Sequence, residues 1–390
     1  MSRSPGQEFS GLPSPDKQAR EHSAQVLRHI CQQIEAHGGW IPFAVYMDLA
    51  LYAPGLGYYM AGTSKFGAEG DFVTAPEMTP LFGQALAQQV AQILRITGGE
   101  ILELGAGSGA LATDILEELG RLDVLPARYR ILEPSPQLEK RQRQRLQALP
   151  EPVRGRIEWC GDLPQRFTGV VIANEVLDAV PVHVVALREQ GLFERGVGIR
   201  DGRLVWEERV ATAALRAVAK DISVPLPYVS EIAPAVSEMV AELCNCMESG
   251  AVVLIDYGFP RAEYYHPQRS SGTLMCHYRH RVHDDPFFLP GLQDITSHVD
   301  FTSVARAGVG AGSRLAGYTG MAQFLLNCGI TELLARTPAT DPAAYLPQAA
   351  PVQKLLSPAE MGELFKVLVL SHGVDAQLLG FASGDRSDRL

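Results

Sequence analysis

The stretch "ILELGAGSGALATDIL", residues 101–116, places the tightest limit on the fold. An apolar run is broken by glycines at 105, 107 and 109 and then gives way to an apolar–polar pattern of helical period. Glycines at a strand's end let the backbone come close to a ligand, and the helix that follows presents unpaired N–H groups to it. The chain must therefore build a strand, a tight turn and a helix with a ligand at their junction.

The surrounding sequence extends this unit. Strand-like runs at 100–105, 128–135, 156–161, 169–176 and 250–258 alternate with helical ones at 109–119, 135–147 and 233–248. Such alternation predicts right-handed β-α-β units and a mostly parallel α/β sheet. Residues 182–230 interrupt it, and their alternation and turn residues predict an inserted antiparallel segment. Residues 259–300 read as loop and hold many of the histidines; helical material and a proline-rich piece at 337–351 follow. "FKVLVLSHGV" and "LLGFASGD" read as a closing strand pair. Upstream, residues 1–20 have the composition of a poorly ordered tail, and Glu21–Ala36 has helical spacing. An aromatic and glycine-rich stretch then turns helical near Pro80, so residues 21–98 form a cap and residues 99–390 the main domain.

The net charge of -10 opposes broad nucleic-acid binding, which draws on a basic face, and suits a basic partner better. No apolar run approaches the roughly 18 residues of a membrane helix, and the N-terminus has no apolar signal segment, so a cytoplasmic protein is expected. The six cysteines include no CxxC pair, and reduced thiols are expected.

Two ligands compete for the glycine turn. Gly105, Gly107 and Ala110 satisfy a relaxed dinucleotide fingerprint. Glu103 points elsewhere: a carboxylate there repels a pyrophosphate but can hold the ammonium of S-adenosylmethionine. Glu133, ending the second strand, can accept ribose hydroxyls from either ligand, and Asp162, after the third, can meet an adenine amino group. Glu103, Gly105, Ala106, Gly107, Gly109, Glu133 and Asp162 are thus candidate cofactor residues, with solvated strand-end caps as the plain alternative for the two outer acids.

Beyond these residues, the chain resembles the MidA family of class I methyltransferases, which includes a mitochondrial assembly factor for respiratory complex I. The resemblance is carried by "ALYAPGLGYY", "GDFVTAPEMTPLFG", "ELGAGSGALA", "NEVLDAVPV", "IDYG", "GTLMCHYRHRVHDDPFFLPGLQDITSHVDFT" and "MGELFKVLVLS", in order from Ala50 to Ser371. It implies a Rossmann-like, seven-stranded sheet that binds S-adenosylmethionine, and methylation of arginine in a protein substrate, which in mitochondrial members is a complex I subunit. Met275 departs from the arginine the family often has after "GTL".

An arginine acceptor needs carboxylates, because its guanidinium stays protonated below a pH of about 12 and its nitrogens are poor nucleophiles. "NEVLDAVP" supplies Asn174, Glu175 and Asp178 just after the fourth strand, with Glu175 the expected guanidinium clamp. If this segment enters a helix, Glu175 and Asp178 share a face; capping of that helix is the plainer role. Tyr257 of "IDYG" either lines the acceptor channel or packs in the core. Asp71 and Thr74 of "GDFVTAPE" either enclose the cofactor or cap the helix near Pro80. His277, His280 and His283, with Cys276, Asp284 and Asp285, suit a substrate-facing loop, structural hydrogen bonds or a zinc ion, and His298 is a candidate substrate contact. A non-catalytic assembly chaperone and a methyltransferase for a non-protein acceptor remain alternatives, and the edges of the inserted segment offer pairing between two copies of the chain.

Overall fold

The strand, glycine turn and helix form as the local pattern dictates: strand Glu100–Leu104 (β1) leads through the turn into helix Ala110–Arg121. The structure is a computed structural model describing residues 12–61 and 74–390. Six more strands join β1: Tyr129–Leu132 (β2), Ile157–Cys160 (β3), Phe167–Asn174 (β4), Met247–Phe259 (β5), Arg314–Gly320 (β6) and Phe365–His372 (β7). Their spatial order is β3-β2-β1-β4-β5-β7-β6, and the two-residue strand Val299–Asp300 pairs along β5. The first five run parallel, whereas β7 runs antiparallel to both β5 and β6. The direction of the chain reverses between β1 and β4, which opens a crevice at the strands' carboxyl ends.

Alternate residues feed two cores. Ile101, Val170, Ile172, Val253 and Val367 pack against helices Pro80–Thr97 and Ala110–Arg121. Leu102, Val171, Leu254 and Leu368 pack beneath helices Pro234–Cys246 and Phe301–Gly310. Because both faces are covered, these strands read as nearly continuous apolar runs. Each fully buried aliphatic side chain stabilises the sheet by about 2 kcal/mol.

The insertion is antiparallel, as expected, and it takes in a strand from far upstream. Strands His183–Arg188, Gly191–Arg200, Arg203–Val210 and Tyr228–Ile232 are joined by Trp40–Pro42, which pairs with Gly191–Arg200 in the register Ile41 to Val197. The core beneath this sheet combines Val26, Ile30, Ile34, Phe43 and Tyr46 with Val184 and Val197. The expected 21–98 cap thus contributes to two layers, since helix Pro80–Thr97 packs on the central sheet.

Three expectations need correction. The first helix starts at Lys17, capped by Asp16, whose Oδ1 accepts from the Ala19 N–H at 2.8 Å; residues 1–11 of the expected tail lie outside the described residues. The segment 259–300 holds a small sheet of Met275–Tyr278, Arg281–His283 and Asp294–Thr296. Its tight turn places Arg279 and His280 at φ 47° and 59°, a two-residue turn without the Asn-Gly signature that would have marked it. "LLGFASGD" forms the short 3-10 turn Leu379–Phe381; the hairpin partner of β7 is β6.

Candidate active site

A cavity of about 690 Å³ opens at the carboxyl ends of the central strands. Glu103, Gly105, Ala106 and Gly107 line it where β1 ends. Gly105 and Gly107 have φ values of 59° and 54°, a left-handed path that costs side-chain-bearing residues strain, so glycine is required for the close approach. Gly109 lies behind the turn at the helix start, against Gln142, and is not part of the lining.

Glu103 is 2% exposed, and its Oε2 accepts from the Tyr129 hydroxyl at 2.8 Å. Burial pushes its carboxyl up to about 8, so a cation beside it draws out the carboxylate form. Glu133 lines the cavity with its carboxylate fixed by two donors, the Ser135 N–H and Gln142 Nε2, each at 2.9 Å. Gln142 is fully buried; it also donates to the Gly107 carbonyl at 3.0 Å and accepts from Trp159 Nε1 at 2.9 Å. One amide thereby joins the glycine turn, the acid after β2 and β3. Sequence reasoning passed over Gln142, although it stands on the buried stripe between Leu138 and Leu146, where an apolar residue is the rule.

Asp162 is exposed and outside the lining, where its neighbour Leu163 takes its place; an adenine contact by Asp162 does not fit this placement. Thr74 lines the cavity, and Asp71 lies outside the described residues. At the rim the Ser108 hydroxyl donates to Glu77, while Arg145 reaches Ser108 Oγ at 2.7 Å and Glu77 Oε1 at 3.2 Å.

At the far end β4 stops at Asn174. Glu175 then adopts φ 53°, with its N–H donating to the Ile255 carbonyl at 2.9 Å, and residues Leu177–Ala179 make one 3-10 turn. The shared helix face expected for Glu175 and Asp178 is therefore absent, because the left-handed residue blocks helix initiation, yet both acids line the cavity. Asp256 holds the turn from below: its Oδ2 accepts from the N–H groups of Leu177 at 2.9 Å and Asp178 at 3.2 Å. Asn174 Nδ2 donates to Glu175 Oε1 at 3.2 Å, leaving Asn174 Oδ1 and Asp178 Oδ1 buried without hydrogen-bond partners. Burial pushes Glu175 up to about 7 and Asp178 up to about 6; for Glu175 the neighbouring charge of Asp178 adds to the effect.

Tyr257 hydrogen-bonds Asp178 and meets His298 edge-on, with ring centroids 5.0 Å apart. His298 lies flat on Phe259 at 5.3 Å, and burial holds it down at about 4, so it is neutral at pH 7 with a buried, unpartnered Nδ1. Of the histidine group, His277 also lines the cavity, while His280 and His283 do not. No cluster of metal-binding type occurs among the described residues. Tyr52, Tyr59 and Asp294 line the cavity as well. They escaped sequence reasoning because they meet only through long-range packing: Tyr59 donates to Asp294 Oδ2 at 2.8 Å across 235 residues.

Among the described lining residues, six carry carboxyl groups (Glu77, Glu103, Glu133, Glu175, Asp178 and Asp294) and none is lysine or arginine. Such a chamber favours cations and repels phosphates. The sulfonium and ammonium of S-adenosylmethionine fit its charge; the pyrophosphate of a dinucleotide does not.

Comparison with known proteins agrees. The profile of a family described as "Putative S-adenosyl-L-methionine-dependent methyltransferase" matches residues 85–319, more than half of the chain. A protein from Burkholderia thailandensis, crystallised with S-adenosyl-homocysteine, is 49% identical with a TM-score of 0.95, covering 97% of this chain and 100% of its own. The protein arginine methyltransferase NDUFAF7 of Xenopus tropicalis is 30% identical over 78% of this chain and 75% of its own length. Its Drosophila melanogaster homologue is 28% identical over 95% and 92%. These relatives are named mitochondrial, which overturns the expected cytoplasmic location. Among the described residues, no helix is long and apolar enough to cross a membrane. S-adenosylmethionine is the cofactor, and the chain belongs to the MidA family of class I methyltransferases.

Proposed function

We propose that the protein methylates arginine side chains of a protein substrate. The observation that carries this reading is the charge of the cavity: beyond the cofactor end, Glu175, Asp178 and Asp294 line a chamber that has no basic lining residue among those described. A guanidinium is the protein side chain that keeps its charge on burial and offers several N–H groups to such acceptors. The names of the curated relatives, protein arginine methyltransferases at about 28% identity, support it. Within this reading, Glu103 holds the ammonium of the cofactor, Glu133 its ribose, and the turn at Gly105, Ala106 and Gly107 its backbone-facing edge.

When bound, S-adenosylmethionine supplies a methyl group on a positive sulfur. Asp178 and Asn174, through their free Oδ1 atoms, hold two N–H groups of the acceptor and so fix which nitrogen faces the methyl. Glu175 takes the proton that this nitrogen sheds as the new N–C bond forms and the S–C bond breaks. Its carboxyl, raised to about 7, is a stronger base than an ordinary glutamate. Tyr257 keeps Asp178 in place, and His298 presents a neutral acceptor nitrogen beside it.

The test uses labelled S-adenosylmethionine with paired peptides bearing arginine or lysine, alongside mass spectrometry of the arginine methylome in cells with and without the protein. A complex I subunit, suggested by the family resemblance, is the first protein acceptor to try. Label enters arginine, and Glu175→Gln slows transfer by about 10²- to 10⁴-fold with cofactor affinity retained. An unchanged arginine methylome, or rescue of the cellular phenotype by inactive Glu175→Gln, refutes the proposal and favours an assembly chaperone.

A further inference from the structure

We infer that Glu231, a buried acid of the inserted sheet, is a positioning residue for the site: through Thr273 it sets where the His298 ring stands in the cavity. That His298 meets the acceptor rests on the arginine reading above; that Glu231 places His298 does not. Glu231 belongs to strand Tyr228–Ile232, is 2% exposed, and lies in register opposite Val184, itself in the core. Its Oε2 accepts from both the N–H and the hydroxyl of Thr273, each at 2.8 Å. The turn before Thr273 is shaped for this carboxylate. Gly272 has φ 82°, and a Cβ there would stand 2.2 Å from Glu231 Oε1, so a side chain at 272 would displace the acid.

Thr273 passes the constraint on. Its one hydroxyl proton goes to Glu231, which leaves the oxygen's lone pairs to accept, and the His298 N–H donates to it at 3.1 Å. The preceding N–H, of Ser297, donates to the Asp178 carbonyl at 3.0 Å. Two consecutive N–H groups are thus tied in turn to the turn that bears Asp178 and to the inserted sheet. The ring itself is held between aromatic neighbours: Tyr257 meets it edge-on at 5.0 Å and Phe259 lies flat against it at 5.3 Å. The backbone anchors therefore decide how far His298 reaches into the cavity it lines.

A plain structural joint needs no carboxylate in the core. Burial pushes the Glu231 carboxyl up while the Thr273 and Leu274 donors pull against that, so the acid is kept at a cost that an apolar contact would avoid. Such departures concentrate where function constrains the sequence. A carboxylate is an acceptor only, so it fixes the direction of the Thr273 hydroxyl, which a neutral partner able to donate would leave free to turn.

The test follows the His298 ring signals and ethylguanidinium binding by NMR in the full chain saturated with S-adenosyl-homocysteine, the signals being assigned by their loss in His298→Asn. Thr273→Val, which keeps the shape and removes the hydroxyl, displaces the His298 signals and weakens ethylguanidinium by about threefold to tenfold, with S-adenosyl-homocysteine affinity within about twofold of wild type. Glu231→Leu does the same, and Thr273→Ser, which keeps the hydroxyl, matches wild type in both readouts. Unmoved His298 signals in Thr273→Val, or undiminished binding there when wild type binds, overturn the inference and leave the arginine reading standing. A wild type that does not bind ethylguanidinium, with His298 signals displaced in Thr273→Val and normal in Thr273→Ser, overturns the arginine reading and supports the placement of His298 by Glu231. If Glu231→Leu does not fold, the two threonine variants decide alone, because both act on the link itself.

Discussion

Replacing Glu103 with glutamine is expected to make the protein more stable and a poorer binder of S-adenosylmethionine. Glu103 is buried and its carboxyl is raised from 4.5 to about 8, so the folded chain holds a proton there that the unfolded chain gives up. Below pH 4.5 both states are protonated and the residue costs nothing. As pH rises toward 8 the cost grows by about 1.4 kcal/mol per unit, reaching about 3 kcal/mol at pH 7 and levelling off near 5 kcal/mol above pH 8. Glutamine does not titrate and still offers Tyr129 an acceptor. Glu103→Gln should therefore gain up to about 3 kcal/mol at pH 7, but less than about 1 kcal/mol at pH 5.

Cofactor binding moves the other way. Under the proposed placement of the cofactor's ammonium against Glu103, that cation favours the carboxylate form, and losing the buried charge pair should weaken binding by about 10²-fold. Because the proton must leave Glu103 first, wild-type affinity rises with pH between about 6 and 7.5, by at most about tenfold per unit, and the variant's does not. Urea unfolding at pH 5 and pH 7.5, with calorimetry across that range, measures both effects. Equal affinity in the two proteins, or a stability gain no larger at pH 7.5 than at pH 5, refutes the assignment of Glu103.

Gln142→Leu keeps the side chain's bulk but strands the Gly107 carbonyl and Trp159 Nε1 and removes one donor from Glu133. It should cost about 2–4 kcal/mol in thermal melts and about tenfold or more in cofactor affinity, and a neutral outcome would remove Gln142 from the site. Asp162→Ala should leave the cofactor dissociation constant within about twofold, since its side chain is exposed and off the cavity; a large loss in calorimetry would restore its adenine role.

The parts of this site that could be read from sequence are those built by neighbouring residues. β1, its glycine turn and the following helix are one continuous signal, and Glu103, Glu133 and "NEVLDAVP" each lie at the end of a strand the pattern predicts. What sequence hid is assembled from a distance. Asp294 is one acid in "LQDITSH" until Tyr59 reaches it, and Trp40–Pro42 is three residues with no strand signal until Gly191–Arg200 pairs with them. β6 escaped for a local reason: Gly317 and Gly320 weaken its strand pattern, although Gly317 is needed because a Cβ there would run into the Phe381 ring. Asp162 misled because an acid after a strand is informative only once its side chain's direction is known.

The position of β7 bears on how the chain can be made. It lies between β5 and β6, pairing with residues 250–257 on one side and 314–320 on the other. A ribosome delivering this chain from its N-terminus therefore releases β5 and β6 before the strand that separates them exists. Until residue 372 has emerged, two apolar strands present open edges, a state that invites wrong pairing or aggregation. Final closure of the sheet thus waits on a single late insertion, and a chain interrupted before β7 would lack the strand that joins β6 to the rest of the sheet.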